Sequence, residues 1–233
     1  METIEIELRY QILNPDTVGL LDNMCTFHSE KRIIDHYLDT PSIDLLKRGI
    51  NIRVRDSKKM DIKFNRDCLI NPMLELQDSG EEYSFSLPLQ QKSIIRCNEV
   101  LSLLNLRPLL SSDFELFKQQ NNLINHRIID KVRRNYTTNG FTIVIDEVKS
   151  LGSFLEIEVM ASSSENIEEI AQRMRDYLLS LSALNLKPLK TGYDSLILRK
   201  HNFQEYLQGR FILEEDNHHL KAVKRQFDQP ASY

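Results

Sequence analysis

Tryptophan is absent from the 233 residues, and glycine and cysteine are scarce, with seven and three copies. So little glycine goes with the absence of both common nucleotide loops: no Gly-x-x-x-x-Gly-Lys-Ser/Thr and no Gly-x-Gly-x-x-Gly occurs in the chain. Cys25, Cys68 and Cys97 are odd in number, far apart and without Cys-x-x-Cys spacing, which excludes a disulfide framework or a cysteine-built zinc site. They read as reduced thiols, and a cytoplasmic location is expected. A basic excess is lacking too. The net charge of −4 speaks against a general nucleic-acid surface, leaving only local clusters of Lys and Arg to meet polyanions. No apolar run approaches the roughly 18 residues of a membrane helix, and no signal peptide is read, so membrane insertion and secretion are not expected. His28, His36, His126, His201, His218 and His219 show no metal-ligand spacing, and His218-His219 reads as a solvated pair in an acidic tail.

What is present is alternation. Thr3, Glu5, Glu7 and Arg9 share one face, opposite Ile4, Ile6, Leu8 and Tyr10. Asn51, Arg53 and Arg55 oppose Ile50, Ile52 and Val54, while Asp61, Lys63 and Asn65 oppose Met60, Ile62 and Phe64. Glu156 and Glu158 oppose Leu155, Ile157 and Val159. Period two with one apolar face is the mark of strands. Residues 125–136 and 141–148 add a hairpin, because Asn139-Gly140 between them is a strong short-turn signal. Residues 82–87 make a further candidate strand. Helices are expected over 15–23, 92–105, 113–121 and 165–184, with a last piece near 203–213.

The polar faces are sorted by charge. A mixed face on one strand ordinarily looks at water. Here Glu5 and Glu7, and again Glu156 and Glu158, set paired carboxylates about 7 Å apart along a strand. Like charges so placed repel unless cations sit between or opposite them. With Asp146 in phase they offer oxygen donors of the kind Mg2+ or Mn2+ prefers. The cations Arg53, Arg55, Lys63, Lys131 and Arg133 suit a polyphosphate, arginine by two-point contacts and lysine as a mobile charge. If all these faces line one lumen, which a barrel of about eight strands can enclose, a triphosphate would lie between a basic wall and metal on an acidic wall. A lumen closed by ordinary salt bridges, with no substrate, is the alternative that charge counting leaves open.

Six motifs in order then resemble one family. Glu5-Ile-Glu7-Leu-Arg9 is similar to the Glu-x-Glu-x-Lys opening of the CYTH superfamily of triphosphate tunnel metalloenzymes. His36-Tyr37-Leu38-Asp39-Thr40-Pro41 through Ile52-Arg53-Val54-Arg55, then Asp61-Ile62-Lys63 and Lys131-Val132-Arg133-Arg134-Asn135-Tyr136, resemble the segments that follow. Asp146 with Leu151-Gly152-Ser153-Phe154-Leu155-Glu156-Ile157-Glu158, and Lys190 with Tyr193 and Leu196, resemble the closing ones. The resemblance implies an α+β, mainly β fold: an antiparallel eight-stranded barrel with flanking helices over residues 1–200, carrying an insertion near 66–90. Residues 201–233 would form a C-terminal extension, partly helical and mobile.

By the same resemblance Glu5, Glu7, Asp146, Glu156 and Glu158 would hold Mg2+ or Mn2+. Arg9, Arg53, Arg55, Lys63, Lys131, Arg133 and Lys190 would grip the triphosphate, with Arg9 and Lys63 as the catalytic candidates. The implied activity is metal-dependent hydrolysis of inorganic tripolyphosphate or of a small organic triphosphate such as thiamine triphosphate or a nucleotide. The alternatives are a class IV adenylyl cyclase making cyclic AMP from ATP, and a non-catalytic triphosphate-binding or sensor module. Nucleic acid enters only as an RNA 5′-triphosphate, and a homodimer is compatible with the sequence. One departure stands out: Arg9 replaces the lysine of the opening motif, keeping its charge but unable to give up a proton.

Overall fold

The alternating stretches fold as strands of one antiparallel sheet in a computed structural model, which describes residues 3–71, 81–162, 166–181 and 184–219, with side chains from residue 6 onward. The strands are β1 (Thr3–Ile12), β2 (Thr26–Asp39), β3 (Asn51–Arg55), β4 (Lys59–Phe64), β5 (Glu81–Ser86), β6 (Ile124–Thr138), β7 (Phe141–Val148), β8 (Gly152–Ser162) and β9 (Leu186–Leu189). The helices are α1 (Thr17–Met24), α2 (Asp44–Lys47), α3 (Arg66–Ile70), α4 (Gln91–Leu103), α5 (Phe114–Gln120), α6 (Ile167–Ser180), α7 (Tyr193–His201) and α8 (Phe203–Tyr206). The expected α+β class and antiparallel sheet are what the chain adopts. The ladder runs β5-β4-β3-β2-β6-β7-β8-β1-β9, so among the described residues it has nine strands, not the expected eight, and ends at β5 and β9. The ninth arises because Leu186–Leu189 pairs with the far half of β1. No helix among the described residues is long and apolar enough to cross a membrane.

The chain divides into two compact units, Met1–Ile34 with Ile129–Lys190, and Asp35–Ile128 with Thr191–Tyr233. In the first, the apolar faces of β1, β7 and β8 present Ile6, Ile143, Ile145, Leu155 and Ile157 to the stripe Ile170, Ala171, Met174 and Leu178 of α6. Burying each such side chain is worth roughly 1.5–3 kcal/mol. Helix α6 starts where it does because Asn166 Oδ1 accepts from the backbone N–H groups of Glu168 and Glu169, whose acidic side chains also suit the positive helix end. Between β6 and β7 the chain reverses through Asn139 and Gly140, both at positive φ (46° and 82°), as a two-residue hairpin with this twist requires.

In the second unit Ile52, Met60, Ile62, Phe64 and Phe85 of β3–β5 pack on Ile94, Cys97, Val100 and Leu101 of α4 and on Phe117 of α5. Asp39 ends β2 and fixes the next turn. Its carboxylate accepts from the backbone N–H groups of Thr40 (2.9 Å), Leu45 (2.9 Å) and Leu46 (3.1 Å), which starts α2. The segment after residue 200 docks Tyr206 and Leu207 against Ile43, Leu46 and Leu198. Tyr206 Oη donates to Asp216 (2.9 Å) and accepts from the Leu213 N–H (2.7 Å), while Arg199 Nε donates to the same Asp216 (2.7 Å). Residues 72–80 of the expected insertion and 220–233 of the expected extension lie outside the described residues.

Candidate functional site

Register brings the charges of the first unit together. Directly opposed residues in a ladder share a face, and Arg9 opposes Glu156, Arg133 opposes Asp146, and Glu7 opposes Glu158. Arg9 Nε donates to Glu156 Oε1 (2.6 Å), and its Nη2 donates to Glu7. The other oxygen of Glu156 accepts from Arg133 Nη2 (2.7 Å). Arg133 forks onto Asp146 as well, Nε to Oδ1 at 2.7 Å and Nη2 to Oδ2 at 2.6 Å, and Lys131 Nζ reaches Oδ2 at 2.6 Å. The result is an unbroken chain of charge, Glu7–Arg9–Glu156–Arg133–Asp146–Lys131. Asp146, Glu156 and Lys131 are buried, while Arg9 and Arg133 keep 21% and 16% of their side chains exposed and so form its open side.

Burial works against the charge of both Glu156 and Lys131. It would push the Glu156 carboxyl up, but Arg9, Arg133 and Lys131 outweigh it and hold that carboxyl well below the usual range. Lys131 moves the other way: burial first, then Arg133, lower its ammonium against the pull of Asp146 and Glu156. Glu5 lies on β1 opposite Met160, and its side chain is outside the described residues. Lys190 is exposed just past β9.

The second unit carries a parallel arrangement. Its rungs read Asp35–Arg55–Lys59–Ser86, then Tyr37–Arg53–Asp61–Ser84, and then Asn51–Lys63–Glu82. Arg55 forks onto Asp35 (2.8 and 3.1 Å). Arg53 Nε donates to Asp61 (3.0 Å) and its Nη2 to Glu82 (3.2 Å). Asp61 accepts further from Lys59 (2.9 Å) and Ser84 Oγ (2.7 Å). Burial works against the charge of Arg53, and Tyr37, Asp35, Glu82 and Asp61 more than offset it, while burial pushes the Tyr37 hydroxyl up to about 12. Lys63 is exposed and among the described residues has no ion pair.

Sequence reasoning missed the acids Asp35, Asp61 and Glu82 as partners of the predicted phosphate-binding arginines. Their signal was available for Asp61, which shares a face with Lys63, but not for Asp35, because β2 was not read as a strand. It also missed Arg127, a buried guanidinium whose Nη1 contacts Asp39 (3.3 Å) and which sits 5.8 Å from the Tyr37 ring centre.

Of the five predicted metal ligands, Glu7, Asp146 and Glu156 already accept from cations. Their oxygens are the right donors for Mg2+ or Mn2+. Yet both oxygens of Glu156 and of Asp146 already accept from arginine or lysine, Glu7 accepts from Arg9, and no three acidic, His or Cys side chains among the described residues group around a common point for an ion. Glu7, Glu156 and Asp146 face the three cations Arg9, Arg133 and Lys131, and Glu158, opposite Glu7, adds one further negative charge.

Comparison with known proteins bears on this arrangement. The CYTH domain model matches residues 3–187. No curated sequence matches the chain. Among solved structures, the PH1819 protein from Pyrococcus horikoshii shares the fold with a TM-score of 0.58 and 20% identity, over 84% of this chain and 99% of that one. HpAC1 from Hippeastrum, an adenylyl cyclase candidate described as having a dominant triphosphatase activity, aligns at 17% identity and a TM-score of 0.52, over 85% and 95% of the two chains. An adenylate cyclase candidate from Vibrio parahaemolyticus aligns at 15% identity and a TM-score of 0.50, over 84% and 99%.

Proposed function

Because the chain belongs to the CYTH domain family, we propose that it binds a triphosphate at the charged face of its sheet and hydrolyses it. The observation that carries this reading is that Arg9 on β1 and Arg133 and Lys131 on β6 are linked through Glu156 and Asp146 into one chain of charge, with the two guanidinium groups partly open to solvent. The phosphates would take over the donors that Glu7, Glu156 and Asp146 now accept from. Two guanidinium forks and one ammonium match phosphate oxygens in geometry and charge. Arg53, Arg55 and Lys63 in the second unit, and Lys190, are the further phosphate-binding positions proposed from the family motifs.

Charge stabilisation is the main task in transferring a phosphoryl group to water, because the transition state spreads negative charge over the non-bridging oxygens. Arg9, Arg133 and Lys131 would hold those oxygens in place and neutralise them as the terminal P–O bond breaks. Arg9 cannot take a proton from water, so its part is to clamp and orient. Mg2+ or Mn2+ is the cation that the family motifs assign to Glu5, Glu7, Asp146, Glu156 and Glu158. Its binding requires Glu7, Asp146 and Glu156 to leave the arginine and lysine donors they now accept from. Free thiols at Cys25, Cys68 and Cys97 suit a reducing compartment, and the cytoplasm is the proposed location.

The test is a substrate panel. Tripolyphosphate, thiamine triphosphate, ATP and a 5′-triphosphorylated RNA are incubated with Mg2+, Mn2+ or chelator, and released phosphate is measured. Turnover of a small triphosphate that is lost in the Glu156→Gln, Glu158→Gln double variant supports the reading. Cyclic AMP with pyrophosphate from ATP would instead identify a cyclase. Thermal stabilisation by tripolyphosphate with no turnover under any metal would leave a binding module.

A further inference from the structure

We infer that Arg9 is the resident cation of the acidic cluster, filling between Glu7 and Glu156 the place a divalent ion would have to take, and so setting how weakly this chain binds metal. The inference rests on the triphosphate reading above for its assignment of those carboxylates to metal. Everything else in it comes from the contacts. One guanidinium bridges two carboxylates on two strands, Nε on Glu156 at 2.6 Å and Nη2 on Glu7. Its position is fixed by register, since Arg9 and Glu156 are directly opposed. Glu7 faces Glu158 across the same ladder, a pairing of like charges that a cation must relieve, and Arg9 stands one rung away to do it.

The planar fork matters. It presents several donors in fixed directions and can satisfy two acids at once, whereas an ammonium is a single point on a flexible stem. A lysine at position 9 would carry the same charge, but as a mobile point on a flexible stem it would hold the two carboxylates less firmly in place against an ion. The guanidinium engages both in fixed directions. Of the three cations in the cluster Arg9 is the most exposed, at 21% of its side chain against 16% for Arg133 and 3% for Lys131. It is the one nearest to water, and so the natural point of exchange between cation and metal.

Mn2+ binding to the full chain, followed by titration calorimetry and by Mn2+ electron spin resonance without any phosphate, tests this on wild type, Arg9→Gln and Arg9→Lys. Removing the guanidinium raises the negative charge available to the ion by one, and Arg9→Gln is expected to bind Mn2+ roughly ten-fold tighter, with Arg9→Lys between it and wild type. Mn2+ should also raise the melting temperature of Arg9→Gln while leaving that of wild type unmoved. Equal Mn2+ affinity in all three proteins would overturn the inference, as would tight binding by wild type. Arg9→Lys keeps the charge and carries the comparison if Arg9→Gln does not fold. Tripolyphosphate is titrated into wild type in chelator alongside. Failure to bind there would sink the triphosphate reading and leave the Mn2+ comparison readable by itself.

Discussion

Arg133 on β6 and Asp146 on β7 are directly opposed in the ladder and meet through a two-point fork, Nε to Oδ1 at 2.7 Å and Nη2 to Oδ2 at 2.6 Å. Arg55 forks onto the directly opposed Asp35 in the same way, while Arg9 and Arg53 each give Nε to the opposed acid, Glu156 or Asp61, and Nη2 to a second one, Glu7 or Glu82. Each arginine proposed to hold phosphate therefore rests, without ligand, on an acid one strand away. A ligand anion must compete with that acid, and losing the acid has opposite effects on stability and on anion binding.

Glu156 is the sharpest case, since it accepts from both Arg9 and Arg133. Glu156→Gln should destabilise the fold by about 3 kcal/mol, because two partly buried guanidinium groups lose their common anion. Urea unfolding at neutral pH measures this. In the same variant tripolyphosphate, titrated calorimetrically, should bind at least as tightly as to wild type, whereas phosphate release should disappear.

Lys131 is the most deeply buried cation of the cluster, at 3% exposure, and Asp146 keeps Arg133 when it is removed. Lys131→Met preserves side-chain length and should fold. Its affinity for tripolyphosphate should fall by about ten-fold, the usual weight of one charge-assisted contact. Unchanged affinity would place the phosphates elsewhere.

Asp61 gives a pH dependence. Burial would raise its carboxyl, but Arg53, Ser84 and Lys59 together bring it below its ordinary 3.8. A carboxylate depressed in the folded state contributes stability that is present above its unfolded value and is lost as pH falls through the lower folded value. The urea midpoint of wild type should therefore drop as pH is taken from about 4.5 downward. Asp61→Asn should start lower at pH 7 and show a flatter dependence across that window.

Tyr206→Phe removes one hydroxyl that both donates to Asp216 and accepts from Leu213. The buried Asp216 and the half-buried Leu213 N–H each lose a partner, and a loss of about 1–2 kcal/mol is expected. The segment after residue 200 should then be cut faster by a nonspecific protease, while tripolyphosphate binding is unaffected.

Much of this was legible in the sequence, for reasons that can be named. Strands such as β1, β3, β4 and β8 alternate cleanly because one face packs on helices, and the Asn139-Gly140 turn announces its hairpin by needing positive φ at both positions. Strand β2 escaped notice because its first half is exposed on both faces and its buried positions include Asp35 and Asp39, so no apolar period appears. Strand β9 is four residues long and contains Pro188. Helix α7 was read only as part of a Lys-x-x-Tyr motif, since its buried set includes Asp194 and Ser195. The residues of the charged faces could be sorted by phase alone. Their partners could not, because register between distant strands depends on tertiary pairing: Arg9 and Glu156 are opposed only once the β1–β8 ladder has formed.

The rung-by-rung pairing also constrains how such a sequence can drift. A charge change at position 9 is felt first at 156, one at 133 at 146, one at 53 at 61, and one at 55 at 35. Among descendants of this chain these positions should vary as couples, each tolerated substitution matched by its opposite number, while the apolar residues between them vary singly with volume. The charged face is inherited as pairs.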